Sequence, residues 1–190
     1  MITAAPSVTS MSSSESAAGF DLSAYIRDVP DFPKPGILFK DITPLLKEPR
    51  ALSAAIEALA QPFENEGITQ VAAIESRGFI FGGALAQRLG CGFVPVRKPS
   101  KLPWTRYRHE YQLEYGSDAL EIHDDALSAA DRVLLVDDVL ATGGTATAGR
   151  ALISLFGAHL VAAAFVIELA FLDGRARLDG VAVHSLLRYS

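Results

Sequence analysis

Two adjacent carboxylates, Asp137 and Asp138, follow an apolar run in the segment VLLVDDVLATGGTATAGRAL, which spans residues 133–152. Unpaired carboxylates are costly to bury, so a strand that reaches them is expected to end there. The loop ATGGT comes next and precedes a predicted helix. Small residues at a helix start let backbone N–H groups approach a ligand, and the helix dipole favours an anion. The segment therefore predicts an anion site beside two hydrogen-bond acceptors.

This combination of donors and acceptors suits a phosphorylated sugar. Backbone amides and the hydroxyls of Thr142 and Thr145 can take the phosphate, while the two carboxylates accept hydrogen bonds from vicinal hydroxyls. Because successive strand residues point to opposite faces, both acids can act together only if the strand has already ended. The loop matches neither Walker A nor G-x-G-x-x-G, so the usual indications of ATP hydrolysis and dinucleotide binding are missing. For TGGT alone, an ordinary strand-to-helix turn is the alternative.

The composition of the chain is typical of a globular protein with one buried core. Of its 190 residues, 49% are hydrophobic and 21% are charged, which suits a single domain. A net charge of −5 argues against a broad nucleic-acid surface. The single cysteine, Cys91, cannot form an internal disulfide, and a reducing cytoplasm fits that.

Neither the N-terminal segment nor the longest apolar run has the pattern of a targeting signal or a membrane span. Residues 1–19 are rich in Ser, Ala and Thr and lack the basic and apolar regions of a secretory signal. We predict a flexible tail there and one domain over residues 20–190. The run from Leu160 to Leu172 is interrupted by Glu168 and is shorter than the ~20 residues of a membrane span, so it predicts a buried strand.

Strands and helices are predicted to alternate along most of the chain. Predicted strands are QVAAIES, GFVPVRK, RVLLVDD and HLVAAAFVIEL; predicted helices cover about 51–66, 79–89 and 143–156, with a short one from near Asp21 that stops before Pro30. Residues 31–46 carry several Pro and Gly and predict a shaped loop or edge segment. Apolar strands that alternate with helices are typical of an α/β fold with a parallel sheet covered on both faces. Ligands of such sheets bind beyond the carboxyl ends of the strands.

A local excess of positive charge follows the second predicted strand. The segment VRKPSKLPWTRYRHEYQLEYG spans residues 96–116 and is broken by proline. Its basic side chains are Arg97, Lys98, Lys101, Arg106, Arg108 and His109. Taken alone, the segment reads equally well as a solvated loop.

The segment VLLVDDVLATGGTA resembles the phosphoribosyl-pyrophosphate motif of the type I phosphoribosyltransferases. The resemblance implies a central, mainly parallel sheet with helices on both faces and a small N-terminal hood. It also implies a set of residues that bind ribose 5-phosphate: Asp137, Asp138, Ala141, Thr142, Gly143, Gly144 and Thr145.

The segment ESRGF, residues 75–79, matches the pyrophosphate loop of the same family. Alone, an Arg beside a Gly at a helix start is often a surface cap. The resemblance assigns Arg77 to the pyrophosphate and implies that a cis non-proline peptide is often present in this loop. It also assigns Arg97, Lys98 and Lys101 to the pyrophosphate end, partly across a homodimer interface, and makes residues 99–115 a lid over the substrates.

Four further segments are similar to the adenine phosphoribosyltransferase family: DFPKPGILFKDITPLL, RGFIFGGALAQRLG, VRKPSKLP and LEYGSDALEIHDDAL. The resemblance runs from about residue 21 to the end. It implies an adenine pocket formed by Leu38, Phe39 and Lys40, in which main-chain groups read the base and Phe39 stacks on it. Many members have Arg at the position of Lys40, and a pocket that reads the base through the backbone tolerates that change. Glu114 matches the carboxylate that manages the proton on the imidazole side of the purine, which makes it the predicted catalytic residue.

The resemblance implies a purine-salvage reaction in which adenine and phosphoribosyl pyrophosphate give AMP and pyrophosphate. Mg²⁺ is the expected cofactor and would be held mainly by the substrate, so no protein metal cage is predicted. Two alternatives stay open at this point. One is the same transfer to an oxo-purine, which needs a pocket that donates to a carbonyl. The other is a non-catalytic nucleotide-sensing regulator, expected to lack the lid carboxylate or to carry a DNA-binding module.

Overall fold

The computed structural model describes residues 20–112 and 117–190. The strands of this described part are β1 Arg27–Pro30, β2 Leu38–Asp41, β3 Gln70–Ile74, β4 Gly92–Val96, β5 Arg106–Gln112, β6 Ser117–His123, β7 Arg132–Leu140, β8 His159–Leu169 and β9 Ala182–Tyr189. Its α-helices are α1 Thr43–Lys47, α2 Pro49–Ala60, α3 Gly78–Leu89 and α4 Gly144–Ser154. Short 3₁₀ helices cover Leu22–Tyr25, Gln61–Phe63, Ala170–Leu172 and Gly174–Leu178.

A five-stranded sheet in the order β4-β3-β7-β8-β9 forms the centre of the molecule. All of its paired strands are parallel. The predicted α/β fold class is therefore confirmed, and β8 has the predicted bounds. Its near-continuous apolar sequence is explained by burial on both faces, as expected for a parallel sheet whose connections cover each side.

Hydrophobic residues pack on both faces of this sheet. One cluster joins α2 and α3 to the sheet through side chains such as Leu59, Phe81 and Val136. The other joins α4 and the β5–β6 hairpin to the opposite face through Leu152, Leu120 and others. Because the helices cover both faces, the loops after the strands are left free at the carboxyl edge of the sheet.

The N-terminal segment forms a small two-stranded hood, as the family resemblance implies, and part of the predicted loop or edge segment is the strand β2. β1 and β2 pair antiparallel, with Arg27 opposite Asp41 and Pro30 opposite Leu38. The helix predicted from Asp21 is limited to the 3₁₀ turn Leu22–Tyr25, because the chain then becomes extended and pairs with β2.

Three other predictions need correction. β7 does not end at Asp138 but continues to Leu140, because its last residues pair with the end of β8. The basic segment is not a structureless loop: β5 pairs antiparallel with β6 from Arg106 to Gln112. The last strand of the sheet, β9, was not predicted at all.

No helix in residues 20–112 and 117–190 is long and apolar enough to cross a membrane.

Candidate active site

The two acids of β7 lie at the carboxyl end of the sheet but have different surroundings. Asp138 is 5% exposed, and its Oδ2 accepts a hydrogen bond from Nε of Arg77. Asp137 accepts a bond of 2.9 Å from the backbone N–H of Asp138. Both acids lie within a strand. They therefore do not form the side-by-side pair that is expected if the strand ends before Asp137. Asp138 stays within the strand because Arg77 compensates its buried charge.

The charges of Asp137, Asp138 and Arg77 influence one another. Burial, followed by the neighbouring charge of Asp138, holds the pKa of the Asp137 carboxyl well above its usual range. Burial is the largest single effect on Arg77 and opposes its charge, but the bond with Asp138 and the attraction of Asp138, Asp137 and Asp41 together raise the pKa of the guanidinium. Arg77 therefore remains a cation at the edge of the sheet, which is the charge that an anionic ligand requires.

The ESRGF segment joins β3 to α3 and brings Arg77 to this position. The peptide bond between Glu75 and Ser76 is cis, as the family resemblance implies. A Cβ on Gly78 would lie 2.9 Å from the carbonyl oxygen of Val136 and 3.1 Å from Oδ1 of Asp137. Glycine is needed there because the start of α3 passes so close to β7.

Arg77 also connects the hood to the sheet. Its guanidinium carbon lies 5.7 Å from the centre of the Phe39 ring, within the usual range of a cation–π contact. The Phe39 ring meets Phe32 edge-on, with centroids 5.2 Å apart. The predicted adenine and pyrophosphate segments are thus adjacent in the fold.

Leu38 and Lys40, the other two residues of the predicted adenine pocket, have different surroundings. Leu38 is 48% exposed on β2. The Nζ of Lys40 lies 2.6 Å from Oδ1 of Asp28 and 4.2 Å above the centre of the Tyr189 ring. The Lys40 side chain is therefore occupied by the hood and by β9, so a ligand would meet this residue through its main chain.

The phosphate loop, residues 141–145, connects β7 to α4. Gly143 has φ +81° and caps α4, and its carbonyl accepts a 2.9 Å bond from the backbone N–H of Thr147. A small cavity of about 50 Å³ is lined by residues 139–146. The loop has the predicted position at a helix start, where free N–H groups favour an anion.

A polar network links the basic segment to the phosphate loop. Lys98 Nζ donates to the carboxylate of Asp118 and, over 3.0 Å, to the hydroxyl of Tyr111. Thr145 Oγ1 lies 3.4 Å from that same hydroxyl. Burial is the largest single effect on Lys98 and opposes its charge, but the bonds and charges of Asp118 and Tyr111 together raise the pKa of the ammonium group.

Glu75 organises the remaining predicted cations. It accepts a 3.1 Å bond from Nε of Arg97 and a 3.0 Å bond from the backbone N–H of Lys98. Burial alone would raise the pKa of Glu75, but these bonds lower it below the usual value. Arg97 also donates to the carbonyl oxygen of Lys101 over 3.0 Å, while Lys101 itself is exposed.

Sequence reasoning did not assign three residues that this arrangement uses. Glu75 lies in the quoted ESRGF segment, and its position at a strand end was the available signal. Tyr111 and Asp118 lie on paired strands whose pairing was not predicted, so nothing in the sequence joined them to Lys98. Glu114, the predicted catalytic residue, lies outside the described residues.

The described residues contain no group of three or more His, Cys, Asp or Glu side chains placed to hold a metal ion.

Comparison with known proteins identifies the family. The model of the phosphoribosyl transferase domain matches residues 41–181. The adenine phosphoribosyltransferase of Methylococcus capsulatus is 61% identical over 168 residues, which cover 88% of this chain and 98% of that protein.

Solved structures agree with this match. The adenine phosphoribosyltransferase of Thermoanaerobacter pseudethanolicus is 52% identical, with a TM-score of 0.86 over 88% of this chain and 98% of that one. The Saccharomyces cerevisiae enzyme, complexed with an imino-altritol bisphosphate and adenine, is 42% identical, with a TM-score of 0.83 over 87% of this chain and 96% of that one. The chain belongs to the adenine phosphoribosyltransferase family.

Proposed function

We propose that this chain transfers the 5-phosphoribosyl group of phosphoribosyl pyrophosphate to adenine and releases AMP and pyrophosphate. The observation that carries the proposal is the position of Arg77, which bonds Asp138 and lies over Phe39. One cation thus connects three segments that the reaction would need: the sugar-phosphate strand, the pyrophosphate loop and the base pocket. The S. cerevisiae enzyme was solved with adenine and an imino-altritol bisphosphate. These two ligands correspond to the purine and the phosphorylated sugar of the proposed reaction.

Ribose 5-phosphate would bind at the end of β7. The N–H groups of the phosphate loop and the hydroxyls of Thr142 and Thr145 would donate to the phosphate, while Asp137 and Asp138 would accept from the ribose hydroxyls. The ion pair with Arg77 fixes the position of the buried Asp138 carboxylate. Donors and acceptors fixed in this way hold C1′ of the sugar in place for attack.

Departure of pyrophosphate places negative charge on its oxygens. Arg77, Arg97, Lys98 and Lys101 would stabilise that charge, and interactions that strengthen as it develops lower the barrier. Lys98 is held by Asp118 and Tyr111 on the β5–β6 hairpin. If the β5–β6 hairpin moves together with Lys98, it would act as the lid over the substrates and expel water when it closes.

Adenine would bind between the hood and the pyrophosphate loop. Phe39 offers a ring face for stacking, and exposed Leu38 offers an apolar edge. The main chain around Lys40 would read the amino-purine edge, because the Lys40 ammonium is bound to Asp28. Glu114 would hold the proton on the imidazole side of the purine as the base nitrogen attacks C1′.

The site fits a Mg²⁺ ion that is bound mainly to the substrate. Asp137 and Asp138 could contribute carboxylate oxygens, and Mg²⁺ in such sites commonly uses one or two carboxylates with substrate phosphates and water. The ion would supply positive charge that offsets the charge of the pyrophosphate.

A homodimer in the cytoplasm is the proposed state of the molecule. Ile80 on α3 and Phe93 on the edge strand β4 are 43% and 39% exposed, which gives a second copy an apolar surface to cover. Arg97 lies near this surface, with its guanidinium carbon 5.9 Å from the centre of the Phe79 ring. A partner bound there would approach the pyrophosphate end. One domain over residues 20–190 would make up each subunit.

A base panel tests the reaction directly. Protein is incubated with phosphoribosyl pyrophosphate, Mg²⁺ and each of adenine, hypoxanthine, guanine and xanthine, and the products are separated by chromatography. AMP from adenine alone is expected, because a pocket that accepts from an amino group leaves an oxo-purine unpaired. A product from an oxo-purine would refute the base assignment, and no nucleotide from any base would favour a nucleotide-sensing regulator.

The role of Glu114 is tested with a matched pair. Glu114→Gln removes the proposed proton acceptor, and Glu110→Gln removes an exposed carboxylate of the neighbouring strand that pairs with Arg108. We expect Glu114→Gln to lower kcat by about 10²-fold or more and Glu110→Gln to leave it unchanged. Equal rates in both variants would exclude Glu114 from proton transfer.

A further inference from the structure

A short segment near the C-terminus packs directly against the backbone of the phosphate loop. This support segment, residues 173–178, begins after β8 and contains the 3₁₀ helix Gly174–Leu178. A Cβ on buried Gly174 would overlap the carbonyl oxygen of Ala141 and lie 2.8 Å from the backbone nitrogen of Gly143. A Cβ on Gly143 would in turn overlap the carbonyl oxygen of Gly174. Two glycine backbones therefore meet without room for any side chain between them.

An ion pair between Arg175 and the buried carboxylate of Glu168 fixes the support segment to the sheet. Arg175 donates to both carboxylate oxygens of Glu168 over 3.0 and 2.5 Å, and to the carbonyl oxygen of Val183 over 2.9 Å. Glu168 is 2% exposed and also accepts a 2.9 Å bond from Ser185. The bond with Arg175 is the main reason that the pKa of Glu168 is lowered, so the pair stays charged. A bidentate pair of this kind fixes direction as well as distance.

The helix that follows the phosphate loop holds the other side of the segment. The hydroxyl of Thr147 donates to the carbonyl oxygen of Gly143 over 2.8 Å and lies 3.4 Å from the carbonyl oxygen of Arg177. Nη1 of Arg150 donates to the carbonyl oxygen of Asp179 over 2.9 Å. Loop, helix and support segment are thus tied to one another, and Leu178 anchors the segment in the core.

We propose that Gly174 and Arg175 are positioning residues for phosphoribosyl binding, which act through the backbone of the phosphate loop. The proposal rests on the proposed function, in which this loop binds the 5-phosphate. Neither residue needs to touch the substrate. The close contact with Gly174 limits how far the phosphate loop can move away from a bound phosphate. The ion pair between Arg175 and Glu168 holds Gly174 against the loop.

The physical reason is the geometry that an anion site demands. Backbone N–H groups bind a phosphate well only if they converge on one point, and a flexible loop must lose entropy before it can do so. A methyl group at position 174 would displace Ala141 and Gly143 together. The displacement would therefore weaken binding of the sugar phosphate while leaving the adenine pocket, formed by the hood, in place.

Binding of ribose 5-phosphate, measured by calorimetry, tests this without any catalytic step. We expect Gly174→Ala to raise its Kd by more than about tenfold, because a loop displacement of about 1 Å can cost up to 10² in such sites. The matched control is Gly180→Ala. Gly180 lies just beyond the segment with φ +77° and no atom within 4 Å of an added Cβ, so this variant carries the backbone strain without the contact.

Arg175 provides a second and milder test. Arg175→Met removes both bonds to Glu168, while Arg175→Lys keeps one charge near it. We expect the Met variant to raise the KM for phosphoribosyl pyrophosphate more than about fivefold, with partial rescue by Lys and less than about twofold change in the KM for adenine. Equal changes in both KM values, or no change in either, would overturn the proposal.

Two outcomes separate this proposal from the function on which it rests. If the unaltered protein binds ribose 5-phosphate but forms no AMP, the proposed reaction fails, and the calorimetric comparison of Gly174→Ala with Gly180→Ala still decides the positioning role. If Gly174→Ala does not fold, Thr147→Val takes its place, because it removes the hydroxyl between loop and segment. A folded Thr147→Val variant and an Arg175→Met variant that both bind ribose 5-phosphate as tightly as the unaltered protein would refute the inference.

Discussion

Asp137 and Asp138 are neighbours in sequence but have different electrostatic surroundings. Asp138 is paired with Arg77, whereas burial and the charge of Asp138 raise the pKa of Asp137. A carboxyl whose folded pKa exceeds its unfolded value costs stability as pH rises through that interval, because the unfolded chain releases its proton there while the folded chain still holds one. A bound sugar with hydroxyl donors would offset this cost, so the free site is expected to be less stable than the occupied one.

The first prediction concerns Asp137→Asn. The variant should melt at a higher temperature than the unaltered protein at pH 7.5, and this gain should shrink as pH falls towards about 4, where an unfolded aspartate takes up its proton. Activity should fall about 10- to 100-fold, because hydrogen bonds from the ribose to a charged acceptor are lost. Thermal melts across pH and steady-state rates measure both effects.

Asp131→Asn is the matched control because the shift of Asp131 has the opposite sign. Its bond from Thr69 and its bonds from Ser128 lower the pKa of this carboxyl. The control variant should melt below the unaltered protein at pH 7.5, again with a difference that narrows in acid, while activity stays the same. A lower melting temperature for Asp137→Asn at pH 7.5 would contradict the electrostatic account.

The helix α3 begins where the predicted pyrophosphate loop ends, and its first residue, Gly78, limits how close the helix approaches β7. Gly78→Ala would bring a Cβ within 2.9 Å of the Val136 carbonyl oxygen, so we expect a loss of about 1–3 kcal/mol in the free energy of unfolding. Because α3 would shift away from β7, Arg77 would lose its bond to Asp138, and the KM for phosphoribosyl pyrophosphate should rise. Urea denaturation and initial rates provide the two measurements.

Gly83 in the same helix is the control for this prediction. An added Cβ there meets no atom within 4 Å, so Gly83→Ala should gain about 0.5–1 kcal/mol through helix propensity alone and keep its KM. If Gly78→Ala were as stable as Gly83→Ala, the close approach of helix and strand would not be what selects glycine.

The elements that could be predicted from sequence are those whose patterns are local. The strand β8 had correct bounds because burial on both faces gives an uninterrupted apolar run. The hairpin β5–β6 was missed, because alternating charged residues such as Arg106, Arg108 and Glu110 read as a solvated loop until the partner strand is known. The end of β7 was misplaced for a related reason: the sequence shows the cost of burying Asp138 but not the distant Arg77 that compensates it.

The same limit applies to the site. The ATGGT loop and ESRGF were recognised because each is continuous in sequence and has its own chemistry. The contacts that join them were not, since Gly174, Tyr111 and Glu75 act through backbone proximity or through side chains from other elements. Such contacts depend on how strands are ordered in the sheet, which no local pattern specifies.

The whole molecule is proposed to be a homodimer. The basic residues after β4 differ in whether a carboxylate of the same chain holds their side chains. Arg97 is bonded to Glu75 and Lys98 to Asp118, whereas Lys101 is exposed. We propose that a two-fold dimer through the exposed apolar surface of Ile80 and Phe93 brings each Lys101 to the partner's pyrophosphate end. Each complete site would then use both chains.

Complementation between two inactive variants tests that arrangement. Arg77→Gln and Lys101→Gln are each expected to be nearly inactive alone. In a mixed dimer with Lys101 acting across the interface, one of the two sites combines the intact Arg77 of one chain with the intact Lys101 of the other. Random assembly should therefore restore about a quarter of the original activity. Co-expression of the two variants, followed by a rate assay on the dimer fraction, gives the measurement.

The control is a pair of variants whose residues share one chain. Arg77 and Asp138 are bonded within the same subunit, so every site of an Arg77→Gln and Asp138→Asn mixture keeps one defect, and activity should not recover. Recovery in the first mixture without recovery in the second would place Lys101 across the interface. If neither mixture recovers while light scattering shows dimers, Lys101 serves its own chain, and the exposed apolar surface brings the subunits together without completing the site.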